Sequence, residues 1–404
     1  MPPMSDLPHL AIAAFAVVST IVASACLFWK ARSGRPITDH KPPVTIYKPL
    51  KGVDEDLEAN LRSFFQLDYP TYQLIFGIAD ADDPAIAVVE GLLREFPGHD
   101  ARLVVGTPSF GLNPKVENLA AMARHRKHEI ILVSDSNVRV RPSYLRETAC
   151  YLADSGVGLV SNIFVGVEEH QFGAALENLQ LNGFIAGGIA LANAVGATCV
   201  VGKSMMMPQR ALEAAGGFAS VRNLLAEDQA LGVKVRKAGY SIRLSHHVID
   251  NVNQARGFRW FVNRHSRWFK IRKRMAGPMF LLEPLTNLPL VGFVWAFSAD
   301  TGFGWGGLLV LTGLGIARDA LHCWWLRGSV PRLRHLLLSP LKDLVLLLIW
   351  LDALVETRVT WRGHRFFVGR FTRLRLGRPG RRLRRRVRRV RKLRARRELD
   401  EDQN

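Results

Sequence analysis

The chain has 404 residues, 48 % of them hydrophobic, and its 55 Lys and Arg against 35 Asp and Glu give a net charge of +20. That length accommodates one large domain with accessory segments. Its four cysteines, Cys26, Cys150, Cys199 and Cys323, form no CxxC pair, which argues against a zinc site or a disulfide framework and fits a reducing compartment.

Met1 to His9 contains no Lys or Arg, whereas Lys30, Arg32 and Arg35 follow the uncharged run of 20 residues from Leu10 to Trp29. Such a run is long enough to span a bilayer. The charge order predicts a retained anchor, residues 1–32, with its C-terminal side in the cytosol. A cleaved signal peptide is the alternative, although its positive charges belong in front of the apolar run. Ser33 to Pro43 reads as a polar linker.

A repeated alternation follows. Strand patterns at Val44–Leu50, Gln73–Ala79, Arg102–Val105 and Glu129–Ser134 are each followed by a helical pattern, near Asp56–Gln66, Pro84–Phe96, Pro114–Arg124 and Pro142–Leu152. This spacing predicts an α/β fold with a mostly parallel sheet covered on both faces. In such sheets ligands bind beyond the carboxyl ends of the strands. Further along, Gly156–Ser161, Thr198–Met207 and Ser241–Ile249 read as strands. Between the first two, the small residues of Ala186–Ala197 suit either a tightly packed helix or a shallow membrane contact. A helix over Glu227–Lys237 stops at Gly239, and Gly257–Arg274 forms a basic, aromatic-rich helix. No repeat of solenoid length occurs.

Three apolar runs come next, Leu285–Ala299, Phe303–Ala317 and Leu336–Val355. The first two are expected to form a hairpin across the bilayer. The third carries Lys342 and Asp343, which are costly in hydrocarbon, and it is expected to lie in the interface or to re-enter. Three spans then leave both the main domain and the C-terminal tail in the cytosol. The predicted units are thus an anchor (1–32), a main α/β domain (33–283), membrane helices (284–356) and a tail (357–404). From Phe371 to Arg397 the tail holds 15 Lys or Arg and no acid, with Leu383, Val387, Val390 and Leu393 at helical spacing. It suits an anionic membrane surface, or a solvated disordered segment. Nucleic acid is a less fitting partner, because no aromatics interleave the arginines.

The second strand ends in Ile78-Ala79-Asp80-Ala81-Asp82-Asp83-Pro84. Three carboxylates there need a cation, donors or water. Asp83 contacts a ribose, a uracil or a metal shell, or it caps the helix that begins at Pro84. The fourth strand ends in Ser134-Asp135-Ser136-Asn137, which is either a Mg²⁺ or Mn²⁺ site on Asp135 that neutralises a diphosphate or an Asx turn. Glu227-Asp228 opens a helix, where Asp228 is a general base or a cap aided by the helix dipole. Arg264 and Arg267 share a helix face. They grip a diphosphate with Trp268 packed on sugar or acceptor, or they belong to a basic membrane-surface helix. Lys48 and Lys51 end the first strand and Lys115 follows Asn113-Pro114; each suits a nucleotide or phosphate contact, or is simply solvated. His246 and His247 read as structural. No GxGxxG, Walker, GxSxG or HExxH pattern falls at a usable place.

Together these residues resemble a known family. Asp83, Asp135 and Asp228, followed by Arg264-x-x-Arg267-Trp268, look like the D, D, D, (Q/R)xxRW pattern of family-2-like transferases. Lys48-Pro49-Leu50-Lys51-Gly52-Val53-Asp54, Phe64-Phe65-Gln66-Leu67-Asp68-Tyr69-Pro70, Asp82-Asp83-Pro84-Ala85-Ile86, Asn113-Pro114-Lys115 and Ala226-Glu227-Asp228 are similar to stretches of ceramide glucosyltransferases. The resemblance covers about Val44 to Pro284. It implies a GT-A fold, nucleotide and metal contacts at Asp83 and Asp135, and Asp228 as the base. It further implies UDP-glucose as donor, a divalent Mg²⁺ or Mn²⁺, ceramide as acceptor and a single inverting displacement. The arginine-rich tail departs from the animal-type pattern and points to a bacterial member, in the inner membrane, where lipid and sugar can differ. A hopanoid acceptor of N-acetylglucosamine is the enzyme alternative. A non-catalytic basic membrane adaptor is the alternative of another class, but an adaptor has no need of acids at three strand or helix ends.

Overall fold

The computed structural model describes residues 6–376 apart from 35, 37, 300, 301, 362 and 363. The basic helix with an apolar stripe expected over 383–393 lies outside the described residues.

The chain opens with α1 (Leu7–Arg32), then β1 (Val44–Leu50), α2 (Leu57–Phe65), β2 (Tyr72–Ile78), α3 (Ala85–Glu95), β3 (Ala101–Val105), α4 (Pro114–Ala123) and β4 (Ile130–Ser134). The expected alternation is present, within a residue or two at each boundary. β1 is buried along its whole length, as befits a strand with parallel neighbours on both sides and helices on both faces. It pairs in parallel with β2 and with β4. β3 pairs in parallel with β2 and forms the partly exposed edge. Gly77 in β2 lets α4 approach closely, since a Cβ there would lie 2.1 Å from Asn118 Oδ1. The Asn118 amide in turn donates to the Gly77 carbonyl at 2.7 Å.

The second half is less regular. β5 (Val138–Arg139), α5 (Tyr144–Ala149), β6 (Val157–Val167), α6 (Phe172–Gln180), α7 (Ala186–Ala194), β7 (Ser204–Pro208), α8 (Gln209–Ala214), α9 (Glu227–Lys237) and β8 (Ser241–Val252) follow. The sheet order is β3-β2-β1-β4-β7-β6-β8-β5, with β7 antiparallel to β4 and to β6. The strand expected over Thr198–Met207 is only its second half. The N–H groups of Val200 and Gly202 bond the Gln229 and Asp228 side chains, at 2.8 and 2.6 Å, instead of a neighbouring strand. The small-residue run proves to be a packing helix: α7 continues from α6 through a π-type turn at Leu181–Ile185, and Gly187 abuts Ala23 of α1.

α10 (Phe258–Ala276) leads through tight helical turns at Gly277–Thr286 into α11 (Leu288–Ser298), α12 (Gly302–Arg327), α13 (Leu333–Leu336) and α14 (Ser339–Val355). Among the described residues, α1 is the one helix long and apolar enough to cross a membrane by itself. The helical stretch Phe258–Thr286 taken with α11 also passes as a pair, bent by 69°. Ala13 and Ala16 of α1 pack on Leu288, Val291 and Trp295 of α11 and Leu311 of α12. Lys342 and Asp343 do not face outward. Lys342 is fully buried and donates to Asp319 of α12 at 2.8 Å. Asp319 also accepts from Arg318, at 2.8 and 2.9 Å, and from the Ser339 hydroxyl at 2.5 Å.

The stretch expected to begin the tail folds back onto the main domain. β9 (Arg358–Trp361), β10 (His364–Val368) and β11 (Leu374–Leu376) form a small antiparallel sheet. Val359, Phe366, Val368 and Leu374 bury against Leu225, and the Leu225 N–H donates to the Thr372 carbonyl at 3.0 Å.

Candidate active site

A cleft of about 950 Å³ opens beyond the carboxyl ends of β1, β2 and β4, where a sheet of this kind is expected to bind ligands. Asp83, Lys115, Asp135, Asp228, Arg264, Arg267 and Trp268 all line it. They come from distant parts of the chain, and the sheet brings them together.

Asp135 follows β4 directly. Its Oδ1 lies 2.8 Å from Lys115 Nζ and its Oδ2 lies 3.2 Å from Lys203 Nζ. Burial alone would raise its pKa, but the two ammonium groups outweigh that and hold the carboxylate well below the usual range. Lys115 owes its place to local sequence. Asn113 caps α4 by accepting from the Lys115 and Val116 N–H groups, and Pro114 occupies the first helical position. From there Lys115 also reaches Glu227 at 3.2 Å. Against the cost of burial, Asp135, Glu227 and Asp228 raise its pKa. Lys203 shows the opposite balance. Burial lowers its pKa to about 8, although Asp135 opposes the shift.

Asp228 sits in the first turn of α9. Its carboxylate accepts from the Gly202 N–H at 2.6 Å and the Gln229 N–H at 2.7 Å. Burial and the neighbouring Glu227 push its pKa up to about 6, against the pull of Lys115. A carboxylate so tuned is ionised at neutral pH and is a stronger base than an exposed one. A side chain at 202 would press on this contact, because a Cβ there would lie 2.8 Å from Lys115 Nζ and 3.1 Å from Asp228 Oδ2.

Asp83 is engaged by backbone. It accepts from the Gly52 N–H, at 2.8 and 3.0 Å, and from the Ala85 N–H at 2.9 Å. It therefore fastens the loop after β1, with Gly52 in a positive-φ turn (φ +68), to the start of α3 while facing the cleft. Arg264 is stacked 4.6 Å from the Trp268 ring and pairs with the buried Glu177 at 2.8 Å. Glu177 also bonds His265 at 2.7 Å. The basic helix is thus anchored through Arg264 and His265, and Arg264, Arg267 and Trp268 line the cleft.

Lys48 corrects the sequence reading. It is fully buried below the cleft, stacked 3.8 Å from the Phe64 ring, and it donates to the Asp135 carbonyl at 2.6 Å. A direct nucleotide contact is closed to it; it supports the backbone that carries Asp135. Lys51 does line the cleft. Sequence reasoning missed Lys203, Glu177 and Trp361, of which Lys203 and Trp361 line the cleft. A lysine just before the apolar strand Ser204–Pro208 was the available signal for the first. Glu177 and Trp361 carried none.

The divalent cation expected at Asp135 needs ligands besides that carboxylate. Among the described residues no group of three His, Cys, Asp or Glu converges on a common point. The carboxylate oxygens of Asp135 are both taken by lysines. Asp135 is the carboxylate expected to hold a divalent cation together with phosphate oxygens, and in this structure Lys115 and Lys203 pair with it.

In overall shape the chain is similar to the mannosyltransferase PcManGT from Pyrobaculum calidifontis, solved in complex with GDP-Man and Mn²⁺. The TM-score is 0.50 at 17 % identity, covering 85 % of this chain and 99 % of that one. The sheet and its strand-end cleft are those of a GT-A-type fold. Within that class, the profile of glycosyl transferase family 21 matches residues 10–374, and the chain belongs to this family. Its relatives include ceramide glucosyltransferase 3 of Caenorhabditis elegans, 31 % identical, covering 80 % of this chain and 72 % of the relative. The ceramide glucosyltransferase of Komagataella phaffii is 26 % identical, covering 90 % and 91 %.

Proposed function

We propose that this enzyme transfers glucose from UDP-glucose to the primary hydroxyl of ceramide, with inversion, at a membrane surface. The observation that carries the reading is Asp228, a cleft carboxylate pushed up to about 6 and held by two backbone N–H groups. The family's ceramide glucosyltransferases supply the acceptor class.

In this mechanism Asp228 takes the proton of the acceptor hydroxyl. The alkoxide oxygen attacks the anomeric carbon from the face opposite the nucleotide. The bond from that carbon to the diphosphate oxygen breaks, and UDP leaves with the electron pair. Lys115 and Lys203 meet the charge that develops on the diphosphate, the contribution that usually dominates such reactions. Arg267 adds to that field and Trp268 offers a ring face for the sugar. Asp83 and Lys51 shape the wall nearest the nucleotide.

The membrane reading rests on exposed apolar side chains that a soluble surface does not carry in such number. On α1 these include Phe15, Val18 and Ile21, on α11 Phe297, on α12 Leu309 and Val310, and on α14 Leu348 and Val355. α11 and α12 form the hairpin and α14 lies against them, with the catalytic domain on the cytosolic side.

The test is incubation of the purified full chain in lipid nanodiscs with labelled UDP-glucose and ceramide. β-Glucosylceramide is expected. Transfer of N-acetylglucosamine to a hopanoid, with no glucose reaching ceramide, would overturn the proposal.

A further inference from the structure

Besides the large sheet and the basic helix, a third part of the chain reaches the cleft. Thr360 and Trp361 line it, and both belong to β9 of the small C-terminal sheet. That sheet is fastened to the stretch that carries the base. The Leu225 N–H donates to the Thr372 carbonyl at 3.0 Å, the Leu374 N–H donates to the Asn223 carbonyl at 2.8 Å, and Leu224 bridges Arg373 in antiparallel register. On its other side the same stretch is held by the cap of α4, where the Asn113 side-chain amide donates to the Leu224 carbonyl at 2.7 Å. Phe371 and Thr372 are consecutive non-glycine residues at φ +51° and +59°. Left-handed backbone of this kind is costly, persists only where its surroundings fix it, and clusters at functional sites. Here the ladder to residues 223–225 fixes it. The basic helix is tied to the same sheet, since Lys270 of α10 donates to the Arg358 carbonyl at 3.1 Å.

The core of the small sheet continues into an apolar wall of the cleft. Trp361 and Ile271 pack on its buried cluster, which includes Leu225. Leu225, Ile271 and Trp361 all line the cleft. Leu225 lies three residues before Asp228, and Ile271 lies one helical turn after Arg267. The wall therefore stands where the base-bearing turn and the basic helix meet. A base in that place faces a choice of acceptor. Water can stand where the lipid hydroxyl should. It would give one proton to Asp228, its oxygen would bond to the anomeric carbon, and UDP would leave with the electron pair, so that the sugar is released free and the donor is wasted. An apolar surface offers water no hydrogen bond, while it gives the carbon skeleton of an acceptor a favourable contact.

We propose that Trp361 is a specificity-determining residue of the reaction. Held beside the base by the small sheet, its indole keeps water from the anomeric carbon and so favours transfer over hydrolysis of the donor. This inference rests on the sugar-transfer reading above, but not on which lipid is the acceptor.

The experiment uses the full chain in nanodiscs with UDP-glucose or UDP-N-acetylglucosamine. UDP release is measured without any acceptor, and sugar transfer is measured with ceramide. Trp361→Ala is expected to raise acceptor-free UDP release on the order of tenfold while transfer falls. A merely structural defect would lower both. Affinity for UDP serves as the check that the donor cleft is intact. Trp361→Phe, which keeps a ring, should restore most of the original ratio. Trp361→Leu, which keeps apolar packing on the small sheet, should fall between, and it carries the test if the alanine variant does not fold. If release and transfer decline together in these variants, or if neither changes, Trp361 is a packing residue and the inference fails. If the unaltered chain releases UDP but glucosylates no ceramide, the acceptor reading fails, while the acceptor-free rates still judge Trp361. Absence of UDP release from either donor rejects the transferase reading and this inference with it.

Discussion

The cleft and the helical unit formed by α11, α12 and α14 both bury charges, but they do so differently. In the cleft, carboxylates and ammonium groups meet at an open surface, and their proton affinities are pulled far from normal: Asp228 up to about 6, Lys203 down to about 8. In the helical unit, Arg318, Asp319 and Lys342 close on one another with no exposed face. The first arrangement leaves charge available to a substrate. The second neutralises charge so that α12 and α14 can pack. A buried ion pair is by itself weak evidence of function; access to a cavity separates the two cases.

That contrast can be broken at four points. Asp228→Asn removes the base, and kcat should fall on the order of 10³-fold or more, equivalent to ~4 kcal/mol of barrier, with UDP binding retained. A variant with near-normal turnover would place the base elsewhere. Asp319→Ala strips two buried cations of their carboxylate and should destabilise the fold by about 3 kcal/mol or more, read as a lower unfolding temperature in detergent. If only activity fell and stability held, the cluster would belong with the cleft.

Gly202→Ala places a methyl group against Lys115 and Asp228. Overpacking of this kind costs ~1–3 kcal/mol, and here it should appear in kcat, about 10- to 100-fold. The pH profile sharpens the comparison most finely. Asp228 works as a base only when ionised, so activity should fall as pH drops through about 6. Lys203 helps only when protonated, so activity should fall again as pH rises through about 8. Lys203→Met should lower kcat by about tenfold at pH 7 and remove the alkaline limb while the acid limb stays. Retention of both limbs would assign the upper one to another group.

Much of the cleft was legible in the sequence. An acid directly after an apolar strand, as at Asp135, or in the first turn of a helix, as at Asp228, is placed by local pattern alone. Asn113-Pro114 likewise announces a capped helix start that fixes Lys115. Lys48 was misread because a lysine ending a strand looks the same whether its side chain rises into the cleft or folds beneath it onto Phe64.

The sequence by itself determined the β-α alternation, the apolar α1 and the strand ends at which chemistry can sit, because each follows from residues near one another in the chain. Tertiary structure alone decided which charge meets which. Lys203 finds Asp135 across 68 positions, Glu177 finds Arg264 across 87, and Asp319 finds Lys342 across 23. It also turned half of an expected strand into a loop, since Gln229 and Asp228 could satisfy the N–H groups of Val200 and Gly202. Electrostatics and hydrogen bonding act through space, and the sheet order that sets those distances is written in no local window.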